Sequence, residues 1–200
     1  MPIIEEKNNE GKGLAFYFPS DWQVVKYDQE ADSAANIPAG FYRRVILSEG
    51  VQQVRGMDIV CRLPGKPKQL EFIEIKDERE RDPETNVALR HDELRKTVLR
   101  KTLDTLAGLL LAERLNEDSL RPMACLSQHP EIRVILFLVE PLPIPIPPRR
   151  NKKLRKLTKQ QVRTGIDQQL NAKLDKWGIS FQLYNLNDRP PKHWYVRDLA

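Results

Sequence analysis

Residues 57–76 read MDIVCRLPGKPKQLEFIEIK, which is two alternating apolar segments on either side of a turn. Segments 57–63 and 70–76 alternate with the period of two that strands require, so Met57 and Ile59 would share one face. The letters PGKPK between them combine proline and glycine, as is typical of a tight turn. The stretch therefore predicts an antiparallel β-hairpin.

The loop length decides which residues of the hairpin face each other. A five-residue loop sets Ile59 against Ile73 and matches apolar faces, whereas a four-residue loop would mix the faces. The first register is therefore predicted, and it places Asp58 directly opposite Glu74. Two carboxylates at that separation repel each other and destabilise the hairpin unless a cation lies between them. A divalent metal ion suits that place, and Lys76 on the same face would lie within reach of a metal-bound water.

The segments after the hairpin indicate an α/β fold. Leucines at helical spacing predict a helix over 92–115 whose leucine stripe packs on the sheet: Leu99, Leu103, Leu106 and Leu110. Residues 132–139 form an apolar run of the kind found in strands buried on both faces. A second helix is predicted over 154–177, ending at Gly178. This order of strands and helices excludes a helical bundle or a β-sandwich.

The chain divides into four segments by composition. We expect a loose N-terminal segment over 1–13 and an α/β core over 14–140, in which 42–47 is a strand. A proline-rich basic connector follows over 141–153. The last segment, 154–200, would supply a helix and a strand that pack on the core.

Composition limits the class of protein. The 200 residues contain 40% hydrophobic residues in dense runs, which excludes a disordered or collagen-like chain. Cys61 and Cys125 are expected to be buried free thiols, and none of the three histidines stands at zinc-ligand spacing. The start lacks the pattern of a secretory signal, and no apolar run is long enough to span a membrane. We therefore expect a cytoplasmic protein.

The net charge of +5 is unevenly distributed. Residues 149–163, RRNKKLRKLTKQQVR, contain eight Lys or Arg and no acid, so the rest of the chain is slightly acidic. Such a run either covers a solvated helix face or follows the phosphates of duplex DNA. The residues predicted to contact nucleic acid are Arg149, Arg150, Lys152, Lys153, Arg155 and Lys156.

The acidic hairpin followed by a long helix resembles the PD-(D/E)xK nuclease superfamily over residues 40–140. The likeness extends to small bacterial members of this superfamily of restriction endonucleases, junction resolvases and repair nucleases. It implies a restriction-endonuclease-like core, with a mixed sheet flanked by helices, that hydrolyses DNA with Mg²⁺ or Mn²⁺. By this resemblance Asp58, Glu74 and the carbonyl of Ile75 would bind the metal. Lys76 would orient or deprotonate the attacking water.

Other interpretations of the same residues stay open. An Asp followed by Glu-Xaa-Lys is common by chance, and a solvated strand face with an ion pair is the plain alternative. Asp28 or Glu30 could supply a further acidic ligand. The main hypothesis is a DNA endonuclease whose catalytic residues are Asp58, Glu74 and Lys76. The alternatives are a non-catalytic nucleic-acid-binding protein and a protein-interaction module, for instance a homodimer formed through the leucine-rich helix.

Overall fold

The computed structural model of the chain describes eight ranges of residues: 1–7, 13–34, 36–47, 54–65, 68–79, 87–139, 152–188 and 194–199. For residues 87–90 and 152–162 it describes only the backbone. Within these ranges the strands are β1 (Ile3–Lys7), β2 (Gly13–Tyr17), β3 (Gln23–Lys26), β4 (Ile59–Leu63), β5 (Gln69–Asp77), β6 (Glu131–Val139), β7 (Ile179–Tyr184) and β8 (Tyr195–Asp198). The two long helices are α1 (Val87–Leu115) and α2 (Lys152–Leu174).

The strands form two sheets, and the larger one is mixed. Its order is β3-β4-β5-β6-β7, in which β4 runs antiparallel to β3 and β5, while β5, β6 and β7 are parallel. Parallel neighbours need a crossover connection, and α1 and α2 lie in the two crossovers. The smaller sheet is antiparallel, with the order β1-β2-β8. The expected α/β class is confirmed.

The hairpin of β4 and β5 has the predicted register. Ile59 pairs with Ile73, and Leu63 pairs with Gln69 across the turn. The prediction that Asp58 stands directly opposite Glu74 is wrong in detail, because the backbone N–H of Asp58 donates to the carbonyl of Ile73, at 3.1 Å. Asp58 and Ile59 thus both face Ile73, which is the arrangement of a β-bulge.

Two apolar cores lie on opposite faces of the larger sheet. The helix-side core joins the sheet to both helices and includes Val60, Phe72, Val98, Leu109 and Leu170. The sheet-side core joins it to the smaller sheet and includes Phe16, Ile59, Ile73, Phe137 and Trp194. In the part of the chain that the structure describes, both long helices therefore cover the same face of the larger sheet. Met57 packs in the helix-side core and not on the face of Ile59, because the bulge interrupts the alternation.

The predicted packing of the leucine stripe of α1 is confirmed for Leu99 and Leu106, which pack against the helix-side core, and is wrong for the other two leucines. Leu103 and Leu110 are exposed, at 50% and 57%, whereas Leu94, Val98 and Leu109 are buried in the helix-side core. Leucines occur on both sides of α1, so helical period alone could not distinguish its buried side.

Three further segments differ from expectation. Ile3–Lys7, expected to be loose, forms β1, because Ile4 packs on the sheet-side core. Tyr195–Asp198, in the tail, adds β8 next to β2. Tyr42–Leu47 is a short π-helix rather than a strand, and the Gly40 carbonyl before it accepts the N–H groups of Arg43 and Arg44 at 3.0 Å each.

Other predictions agree with the structure. Both cysteines are free and buried. Gly178 follows the helical turn Asp175–Trp177 with φ of 70°, the left-handed conformation that favours glycine at a helix end. No helix among the described residues is long and apolar enough to cross a membrane. The proline-rich residues 140–151 lie outside the described ranges.

Candidate active site

Asp58 and Glu74 lie next to each other at the point where the β4–β5 ladder ends. The Glu74 side chain is fully buried, and the Asp58 side chain is 12% exposed. Glu74 shares the face of Phe72 and therefore points towards α1. Asp58 stands at the bulge, and a bulge redirects a side chain relative to regular alternation.

The ammonium of Lys101, from α1, bridges these two carboxylates. Its Nζ lies 2.9 Å from Oδ1 of Asp58 and 2.6 Å from Oε2 of Glu74. Because Oδ1 of Asp58 and Oε2 of Glu74 contact the same Nζ, the two carboxylates lie close together. The predicted convergence of two carboxylates on one cation is observed, and within the described residues the cation is a lysine.

Burial and neighbouring charge shift the pKa values of this group. Burial and the charge of Asp58 raise the pKa of Glu74, against the opposite effects of Lys101 and Lys76. Burial alone would lower the pKa of Lys101, but the charges of Glu74 and Asp58 outweigh it and raise that pKa. Lys101 is therefore charged at neutral pH, and its positive charge offsets the repulsion between the two acids.

Lys76 and Ile75 complete the contacts of the carboxylates. The Lys76 Nζ lies 2.8 Å from Oε1 of Glu74, and its side chain is 33% exposed. The backbone N–H of Ile75 donates to Oδ2 of Asp58, at 2.5 Å. The three residues predicted as catalytic are thus brought together, with Lys76 reaching the surface.

Helix α1 is held against the bulge by side chains one turn beyond Lys101. Oγ1 of Thr105 accepts the N–H of Met57 at 2.9 Å, and Oδ2 of Asp104 accepts the N–H of Arg55 at 2.9 Å. These bonds satisfy backbone donors that have no ladder partner. They also fix the position from which Lys101 reaches the carboxylates.

A second group of charges surrounds the first. Glu6 pairs with Lys26 at 2.8 Å, and the charges of Asp58 and Lys101 act on it. Burial, Asp58 and Glu6 raise the pKa of Asp28 to about 7. Of the two further acids considered from sequence, Asp28 belongs to this neighbourhood. Glu30 is 75% exposed and pairs with Arg43 at 2.7 Å.

The carboxylates of Asp58 and Glu74 are the kind of ligand that a hard divalent ion prefers, but they are only two. Carboxylate oxygens from two adjacent strands converge on one cationic position, which is the pattern that Mg²⁺ uses. Among the described residues, no group of three His, Cys, Asp or Glu side chains is arranged to hold a metal. Asp58 and Glu74 are therefore the protein side chains that would hold it, with water completing the coordination.

The predicted nucleic-acid contacts are only partly within the described residues. Arg149 and Arg150 lie outside them. Lys152, Lys153, Arg155 and Lys156 occupy the first turns of α2, where the structure describes the backbone. Arg163, at the end of the basic segment, pairs with Asp188 at 2.8 Å.

Sequence reasoning missed the role of Lys101. The hairpin pattern gave no indication of this residue, which is 9% exposed in the structure. The signal was its spacing, because Lys101 falls on the same helical face as Leu94, Val98 and Thr105. A lysine in a buried stripe needs a buried acid nearby.

Comparisons with protein-family models, with curated proteins and with solved structures found no match to this chain.

Proposed function

We propose that this chain has a restriction-endonuclease-like core and is a divalent-metal-dependent endonuclease that hydrolyses DNA phosphodiester bonds. The observation that carries the proposal is the convergence of Asp58 and Glu74 on one cationic position, with Lys76 beside it. The resemblance to PD-(D/E)xK nucleases is supported by the mixed sheet, in which β4 and β5 are neighbours. The long helix α1 follows β5 in the chain.

The residues have distinct roles in this proposal. Asp58 and Glu74 hold Mg²⁺ or Mn²⁺, and the resemblance adds the carbonyl of Ile75. When bound, the metal would lower the pKa of a coordinated water and would neutralise charge on the phosphate. Lys76 donates hydrogen bonds to the attacking water and fixes its orientation. It is the member of the group that reaches the surface, where a phosphodiester would arrive.

The proposed substrate is duplex DNA because of the basic segment. Eight Lys or Arg residues stand in 149–163, and this segment runs into α2, which packs on the helix-side core. A run of cations without interleaved aromatic residues suits phosphate contacts better than base stacking.

One observation favours a second function. Lys101 and Lys76 already give the oxygens of Asp58 and Glu74 charged partners, so the cluster can stand as a purely structural one. In that case the chain would be a non-catalytic nucleic-acid-binding or protein-interaction module on the same fold.

Cleavage of supercoiled plasmid with Mg²⁺ or Mn²⁺ distinguishes the two functions. We expect the wild type to nick or linearise the plasmid, and Asp58→Asn and Glu74→Gln to lose this activity while remaining folded. Glu71→Gln is the matched control, because Glu71 is also buried on β5 but pairs with Arg133, at 2.8 Å. Cleavage that persists in Glu74→Gln, or that no metal supports, would refute the nuclease proposal.

A further inference from the structure

The place between the two carboxylates is already filled. The inner oxygens, Oδ1 of Asp58 and Oε2 of Glu74, both contact the Lys101 ammonium. The outer oxygens are held by the N–H of Ile75 and the ammonium of Lys76. A metal ion bound between the two inner oxygens would therefore occupy the position of the Lys101 Nζ.

Helix α1 has anchors that do not involve the Lys101 ammonium. The bonds of Thr105 and Asp104 to the backbone near the bulge hold α1 in place. The Lys101 side chain is long and flexible, and 11% of it is exposed to solvent. The charge of Lys101 also acts to lower the pKa values of Glu6 and Asp28, so both carboxyl groups lie within its electrostatic reach.

We infer that Lys101 is an internal cation that competes with the divalent metal for Asp58 and Glu74. The metal binds when the ammonium withdraws, and the ammonium returns when the metal leaves. Lys101 thus stabilises the empty site and sets the metal concentration at which the site fills. This inference rests on the proposed metal-dependent hydrolysis and adds a control on its metal site.

Metal affinity without DNA tests the competition. Mn²⁺ binding is measured by titration calorimetry on the wild type, Lys101→Met and Lys96→Met. Lys96 is on the same helix, its side chain is 75% exposed, and it pairs with Asp92, so it is the matched control. We expect Lys101→Met to bind Mn²⁺ about tenfold more tightly or better, because two buried carboxylates lose their competing charge. Lys96→Met should match the wild type.

A second experiment uses the unmodified chain and does not depend on a variant's stability. The side-chain ammonium resonance of Lys101 is followed by ¹⁵N NMR during titration with Mg²⁺ alone. The resonance should shift or disappear over the same Mg²⁺ range that saturates binding in calorimetry. An unchanged Lys101 resonance at saturating Mg²⁺ would overturn the inference.

The outcomes separate the inference from the proposed function. Equal Mn²⁺ affinity in the wild type and Lys101→Met refutes the competition and leaves the nuclease proposal standing. Tighter binding by Lys101→Met that Asp58→Asn abolishes, without cleavage of DNA, supports the competition and refutes the nuclease. Failure of every variant to bind Mn²⁺ refutes both.

Discussion

The ammonium of Lys101 lies 2.6 Å from Oε2 of Glu74, whose side chain is fully buried. Removing a buried charge from water costs several kcal/mol, which only a close partner of opposite charge offsets. The contact therefore joins α1 to β5, and loss of the lysine would leave two neighbouring buried carboxylates with the partly exposed Lys76 as their nearest remaining ammonium. The stability of the fold and the state of the candidate site thus depend on the same contact.

Replacing Lys101 with methionine should destabilise the metal-free protein. Asp58 and Glu74 would then face each other without the shared cation, and breaking such a buried pair costs about 3–5 kcal/mol. The loss should shrink as the pH falls, because the raised pKa of Glu74 rises further in the variant and a proton replaces the ammonium. Urea unfolding in EDTA at pH 5 and pH 8 measures both effects.

The control for this change is Lys96→Met, on the exposed side of α1. A surface ion pair contributes about 0–1 kcal/mol, so little change is expected. A loss in Lys101→Met as small as that of the control would contradict the description of Lys101 as a buried counter-ion.

Lys76→Met should separate catalysis from metal binding. Lys76 is partly exposed and holds one oxygen of Glu74. Its removal should lower the DNA cleavage rate about 10²-fold or more, as expected when the group that orients the attacking water is lost. Metal affinity should not fall, because Lys76 is a cation and not a ligand. Single-turnover cleavage and Mn²⁺ calorimetry give the two values.

The chain offers a matched control for Lys76. Lys7 stands in the same Glu-Xaa-Lys arrangement on β1, with its Nζ 2.6 Å from Glu5, on an exposed edge. Lys7→Met should cleave DNA like the wild type. Equal cleavage by the wild type and Lys76→Met would remove Lys76 from the proposed site.

Asp28 should make the stability of the folded chain fall as the pH rises. Its pKa is raised to about 7 by burial and by the charges of Asp58 and Glu6, above the value near 4 expected for an unfolded chain. Between these values the folded chain holds more protons than the unfolded chain, so the free energy of unfolding decreases with pH across that window. Asp28→Asn removes this pH dependence. Between pH 4 and pH 8 its free energy of unfolding should rise by about 1–3 kcal/mol relative to that of the wild type.

Chemical unfolding in EDTA across that pH range provides the measurement. Asp21→Asn, at an exposed position, is the control and should follow the wild type. Glu6 also has a pKa raised by burial, so some pH dependence of the same sign should remain in Asp28→Asn. A pH profile of Asp28→Asn parallel to that of the wild type would contradict the assignment.

The hairpin was predictable because its register depends on local pattern. Apolar residues match on both faces in one register only, and Ile59 and Ile73 do pair. The strand β6 was equally evident, since a strand buried on both faces needs a continuous apolar run. The bulge at Asp58 was not predictable from alternation, because it follows from the N–H bond to Ile73 and from contacts with α1.

The face of α1 depends on tertiary contacts that no local pattern contains. Leu103 and Leu110 suggested the buried side, yet the side that packs on the sheet carries Lys101 and Thr105. Each of these polar residues is buried because a partner elsewhere in the chain satisfies it. A hydrophobic count cannot recognise such pairs, so the candidate site was predicted with its acids and without its cation.

Two helical glycines should respond in opposite ways to alanine. A Cβ on Gly108 of α1 would collide with the buried hydroxyl of Tyr27, whereas a Cβ on Gly165 of α2 would meet nothing within 4 Å. Alanine favours a helix by about 0.5–1 kcal/mol over glycine, so Gly165→Ala should stabilise the chain by that amount. Gly108→Ala should instead cost about 1–3 kcal/mol, because the overpacked ring must shift or the helix must withdraw.

Metal binding at the candidate site should show whether Gly108→Ala shifts the Tyr27 ring or makes α1 withdraw. Withdrawal of α1 carries Lys101 away from Glu74, which lies on the strand that the helix covers. The variant should then bind Mn²⁺ more tightly than Gly165→Ala, although both changes add one methyl group. If Tyr27 shifts and α1 stays in place, both variants should bind Mn²⁺ equally while differing in stability. Thermal unfolding together with Mn²⁺ calorimetry on the two variants distinguishes these responses, and a Gly108→Ala variant as stable as Gly165→Ala would contradict the close contact with Tyr27.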